Sequence, residues 1–150
     1  MYGLAHLSFA MALAYLLRLP MPVAMFASVL PDFDALFSLG FPLSHRGVMH
    51  SFLAALVLAA GCYALLDDRD SMLSFLLGYE SHLFLDTFTP YGVMWLYPVE
   101  AYVSWKMAYA SSLSVNAAVI VFSMLVMYGW RMEPRLSRHM RRNGWLRSWL

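Results

Sequence analysis

Residues 78–92, GYESHLFLDTFTPYG, continue an apolar run that begins at Met72, yet they carry Glu80, His82 and Asp86. Residues four apart share one face of a helix, a single turn from each other. His82 and Asp86 therefore reach toward one point, and an imidazole nitrogen beside a carboxylate oxygen suits zinc, manganese or iron. Gly78 falls one turn earlier on the same face, where a missing side chain lets another helix approach closely. Glu80 points almost the opposite way and is expected to meet a polar group between helices, not a metal. Donors of the same chemistry recur upstream: His6, then Asp32 and Asp34 in LPDFD, then His45 and His50 in SHRGVMHS. A turn after Pro31 would point both aspartates the same way, one as ligand or bridge and the other holding a neighbouring histidine. His45 and His50, five apart, cannot share a helical face. Both can still face inward if His45 lies in a loop and His50 in the first turn of a helix.

Taken singly, each residue has a plainer explanation. His6 could be a hydrogen bonder between helices, and the two aspartates could cap a helix at 35–40, since Asp is a favoured N-cap. His82 and Asp86 could pair without metal, and His45–Arg46 could touch lipid headgroups. The metal explanation gains because the plain ones require separate coincidences. Aspartate in hydrocarbon also costs about 2.5–3.5 kcal/mol each on the insertion scale, and bound divalent cations would offset that cost.

These donors must be carried by membrane helices. The chain has 150 residues, of which 61% are hydrophobic and 13% charged, against roughly 45–50% and about 25% in soluble domains. One core of this size could not hide so much apolar surface. The single cysteine, Cys62, lies in an apolar run, which excludes a disulfide framework and a CxxC site. The N-terminus lacks the basic segment of a cleaved signal and is expected to be a retained helix. Apolar segments fall near 3–18, 20–35, 49–66, 71–88 and 112–130. The second is bracketed by Pro20, Pro22 and Pro31 and is expected to be broken or re-entrant, being too short to span about 30 Å. The expected fold is an all-α integral membrane bundle of four to five transmembrane or re-entrant helices in the cell (inner or plasma) membrane. It divides into a membrane domain at 1–130 and a basic tail at 131–150. The Trp- and Tyr-rich stretch 91–112 reads as a membrane–water interface.

Six of the ten basic residues follow Trp130. With that tail cytoplasmic and each segment crossing once, Arg18 and Arg69 also fall inside, and only Arg46 and Lys106 fall outside, as the positive-inside rule asks. His6, Asp32, Asp34, His45, His50, His82 and Asp86 then converge on the outer face, although only Arg and Lys set the orientation. Arg135, Arg138, Arg141, Arg142 and Arg147, with Trp145 and Trp149, are expected to lie on anionic lipid headgroups. Nothing beyond charge suggests nucleic acid, and none is expected as a partner.

The order of His6, PDFD (31–34), HRGVMHS (45–51) and GYESHLFLDTFTPYGVMWLYP (78–98) resembles the YdjM-like family of membrane-bound, metal-dependent hydrolases, over roughly residues 3–98. It is also distantly similar to zinc-dependent phospholipase C, in which an early His, a Pro-Asp pair, a further His and Gly-xxx-His-xxx-Asp occur in this order around zinc ions. The later histidine and glutamate ligands of those enzymes have no obvious match here, so the resemblance implies one or two ions, zinc first, with manganese or iron as alternatives. The expected activity is hydrolysis of a phosphoester in a membrane lipid or lipid-linked substrate. His6, Asp32, His50, His82 and Asp86 are the expected ligands. The expected catalytic residues are Asp34 as general base, His45 as leaving-group acid and Arg46 on a phosphate oxygen. The alternative is a non-catalytic metal-binding or ion-transporting membrane protein.

Overall fold

Small residues decide how this chain packs. In a computed structural model, residues 1–34, 47–99, 101–107 and 112–142 are described, with side chains as far as Arg131. Five α-helices occur among them: α1 (Gly3–Leu17), α2 (Met21–Ala27), α3 (Phe52–Leu66), α4 (Arg69–Thr87) and α5 (Leu113–Arg142). A 3-10 turn at Leu30–Phe33 follows α2 and another at Val48–His50 precedes α3. There is no strand among the described residues, only an isolated bridge between Val93 and Val103.

α1 buries Ala5, Ser8, Ala10, Ala12 and Ala14, α2 buries Ala24 and Ala27, and α3 buries Ala54, Ala55 and Ala59. Many large apolar side chains point the other way, with Leu4, Phe26, Val57, Leu65 and Phe122 all exposed, while α4 buries Phe75, Tyr79 and Leu83. A water-soluble domain inverts this arrangement, since it gains by burying Leu and Phe. In lipid, where tails are as apolar as Leu, helices gain instead by close backbone approach through small residues.

α4 is the central helix and packs against α1, α2 and α3, while α5 lies against α1. Asp68 caps the start of α4 by accepting from Ser71 N–H at 2.8 Å, and those Ser71 hydrogen bonds hold its carboxyl below the usual range. The closest approach is at Gly78. A Cβ there would lie 2.1 Å from the carbonyl oxygen of Ala24. The absent side chain expected at this point thus admits the backbone of α2.

The second apolar segment is broken, as its prolines imply: α2 ends at Ala27 and the chain resumes as the 3-10 turn. α5 continues past Trp130 to Arg142 without a break, so Arg135, Arg138, Arg141 and Arg142 belong to its last turns. Trp145, Arg147 and Trp149 lie outside the described residues, as does any helix at 35–40. Among the described residues one helical span, Leu113–Arg131 of α5, is long and apolar enough to cross a bilayer. α1 and α3 have 15 residues each, about 22 Å at 1.5 Å per residue, short of a hydrocarbon core of about 30 Å.

Gly78→Ala should force α2 and α4 apart and lower stability by about 1–3 kcal/mol, read as a lower unfolding midpoint in detergent. Gly61→Ala, with no atom near its added Cβ, should leave that midpoint unchanged or raise it.

Candidate metal centre

Four segments deliver polar side chains to one end of the bundle. α1 starts there, the turn after α2 returns there, α3 starts there and α4 ends there. His6 lies in the first turns of α1 and His82 and Asp86 in the last turns of α4. Asp32 belongs to the 3-10 turn after α2, and Asp34 follows it. His50 ends the 3-10 turn before α3, whose N-cap Ser51 accepts from Ala54 N–H at 3.2 Å. His50 therefore precedes the helix, a small correction to its expected place in the first helical turn.

His6, His50 and His82 are fully buried and Asp86 nearly so, whereas the Asp32 side chain is 40% exposed. The His6 and His82 rings stack with centroids 3.9 Å apart, and His50 meets His82 edge-on at 5.3 Å. His82 Nε2 lies 3.5 Å from Asp32 Oδ1 and 3.8 Å from Asp86 Oδ2. His6 Nε2 lies 3.5 Å from Asp86 Oδ1, and His50 Nε2 lies 3.8 Å from Asp32 Oδ1. These separations exceed the 2.7–3.2 Å of good N–H···O bonds. They match two ligand atoms on one cation, since metal–ligand bonds of about 2.0–2.2 Å hold neighbouring donors about 3–4 Å apart. His6, Asp32 and His82 form one trio of donors within 4.8 Å of one another, and His50, His82 and Asp86 form another. The five expected ligands are thus brought together, with His82 common to both trios.

The outer hydrogen bonds orient two of the rings. His82 Nδ1–H donates to the Ser28 carbonyl at 2.7 Å, which leaves Nε2 as the lone-pair nitrogen facing the carboxylates. That Nε2 and both ring nitrogens of His6 are buried without a hydrogen-bond partner among the described residues. Burying such groups is costly, and a divalent cation would satisfy His82 Nε2 and one ring nitrogen of His6, so the residues present fit a metal. His50 Nδ1 meets Asp34 Oδ2 at 3.1 Å. Asp34, expected as the general base, therefore stands behind His50 and orients it. His45 and Arg46 lie outside the described residues.

Glu80 is corrected. Its Oε1 is buried with no hydrogen-bond partner among the described residues, so no polar group between helices meets it there. Several supporting contacts escape sequence reasoning. The Met1 α-ammonium donates to Asp86 Oδ1 at 2.8 Å, and the Tyr2 N–H donates to Asn116 Oδ1 at 2.8 Å, which ties the start of the chain to α5. Asn116 is a lone amide in an apolar helix, and that isolation was the available signal. Tyr79 Oη donates to the Met49 carbonyl, fixing the His50 turn, and Trp95 Nε1–H donates to Thr87 Oγ1 at 3.0 Å. Neither contact leaves a trace in spacing.

The fold and site together define a helical membrane protein with a buried His/Asp cluster at one end of its bundle. The chain belongs to the YdjM inner membrane protein family, which matches residues 1–148. No curated protein and no solved structure matches it.

Asp34→Ala removes the orienting partner of His50 without removing a candidate ligand, so it should weaken zinc affinity by about 10–100-fold. Competition against a chromophoric chelator measures this, and an unchanged affinity would sever Asp34 from the site.

Proposed function

We propose that this protein is a membrane-embedded, metal-dependent hydrolase of a phosphoester in a lipid or lipid-linked substrate. The carrying observation is the set of four histidine–carboxylate separations between 3.5 and 3.8 Å around unsatisfied buried imidazole nitrogens. His6, His50, His82 and Asp86 hold the cation with Asp32, and zinc suits this N/O set best. His82 offers a single lone-pair nitrogen, so it serves one ion. A second ion, if bound, is held by the carboxylates with His6 or His50. A cation bound there supplies Lewis acidity that lowers the pKa of a bound water from ~15.7 toward ~7.

The chain's own groups do the rest. Asp32 turns Oδ1 to His50 and His82 as a ligand atom, which leaves its Oδ2 to take the proton of the entering water, while Asp34 holds His50 in orientation. Arg46 receives a phosphate oxygen and His45 protonates the leaving group. The distant likeness to zinc-dependent phospholipase C supports a phosphoester substrate. The excess of Arg and Lys after Trp130 supports a cytoplasmic C-terminus, with α1 to α4 lodged in the bilayer beside α5 and the cluster on the outer face. The last-turn arginines then rest on anionic lipid.

A second reading, a metal-binding or structural protein without turnover, is favoured by the Met1–Asp86 ion pair, because an ammonium also neutralises a buried carboxylate. An ion path is less favoured, since α3 is apolar throughout its length.

Metal analysis separates these readings. Purified wild type should carry a divalent ion that His82→Ala and Asp86→Ala lose, and chelation should abolish phosphodiesterase activity on lipid headgroup analogues. Full activity in chelated protein would end the hydrolase mechanism. Tight metal without turnover of any phosphoester lipid would favour the second reading.

A further inference from the structure

An apolar groove of about 520 Å³ opens on the surface of the bundle between α2, α3 and α4. Pro22 and Leu30 line it from α2 and its 3-10 extension, Leu58, Cys62 and Leu66 from α3, and Phe75 from α4. None of these side chains is charged. The groove comes toward the candidate centre at Leu30, which lines it and stands two residues before Asp32 in the 3-10 turn. Ser28, in the same connection, accepts the hydrogen bond from His82. From Leu58 to Leu66 it follows α3 for about 12 Å at 1.5 Å per residue, away from the end that carries the histidines.

A polar centre at one end and a long uncharged channel leading from it match an amphiphile with its headgroup at the cluster. We infer that this groove holds one long hydrocarbon chain of the lipid whose phosphoester lies at the metal centre; the inference rests on the proposed hydrolase reading. In an inner membrane protein the medium against an open apolar groove is hydrocarbon, so a chain enters sideways without crossing water. Asp32, whose side chain is 40% exposed, is the cluster residue nearest in the chain to the groove lining. Gly61 also lines the groove, and an added Cβ there meets no atom within 4 Å. A larger residue at 61 therefore fills the channel without displacing backbone.

The test uses the full chain in phosphatidylglycerol nanodiscs doped with phosphatidylglycerol carrying a diazirine at the end of one acyl chain. After irradiation, adducts are mapped by peptide mass spectrometry. Wild type should concentrate adducts on residues 21–30 and 58–66. Gly61→Phe should lose them, while Gly129→Phe, equally free of neighbours but on α5, should keep them. Adducts spread evenly over exposed apolar faces, including Val121, Phe122 and Leu125 of α5, would overturn the inference on wild type alone. So would adducts that persist in Gly61→Phe. Labelling needs no turnover, so the two readings fail separately. Concentrated adducts in a protein without metal count against the hydrolase and for the groove. Metal-dependent hydrolysis with dispersed adducts counts against the groove only.

Discussion

The hydrogen bond from His82 Nδ1–H to the Ser28 carbonyl is the constraint on which the rest depends. It fixes the tautomer of the one histidine shared by both donor trios, and it joins the end of α2 to the last turns of α4. It can form only because the two helices touch at Gly78 and Ala24 one turn away. A methyl group at 78 would push the Ser28 carbonyl out of reach and carry the following turn, with Asp32, away from His82. Backbone proximity in the apolar middle of the bundle thus decides polar geometry at its end.

The same logic explains the odd distribution of side-chain size. Alanine and serine fill the buried faces of α1, α2 and α3 while many bulky apolar residues look outward, and α4 supplies the large buried side chains Phe75, Tyr79 and Leu83. Hydrocarbon outside makes the exposure of the others harmless. Polar atoms inside then have no water to turn to, so each must find a protein partner or an ion. Most do: Ser74 Oγ donates to the Pro20 carbonyl and Thr87 Oγ1 to that of Leu83. Among the described residues, Glu80 Oε1 and the imidazoles of His6 and His82 leave buried atoms without a hydrogen-bond partner. The two imidazoles face carboxylates too distant for good hydrogen bonds.

The helices were largely legible in advance, because apolar runs and prolines act locally. Pro20, Pro22 and Pro31 marked the interruption after α2, and the 15-residue α3 follows its apolar run almost to the residue. The i,i+4 pair of His82 and Asp86 was legible for the same reason. The division of labour between Asp32 and Asp34 was not. Two carboxylates separated by one residue look alike in sequence, and only the direction of the 3-10 turn sends Asp34 behind His50 while Asp32 stays at the mouth. Glu80 was misjudged because its facing neighbours come from elsewhere in the chain.

By itself, the sequence determined the class of protein, the order of its apolar helices, and the residue types able to bind a metal, since hydropathy, proline chemistry and helical periodicity are properties of neighbouring residues. Tertiary structure alone decided that His6 stacks on His82, that Asp34 serves His50, and that an apolar groove opens between α2, α3 and α4. Each of those facts joins atoms far apart along the chain, and their separation is fixed by how closely helix backbones approach, which no local pattern encodes.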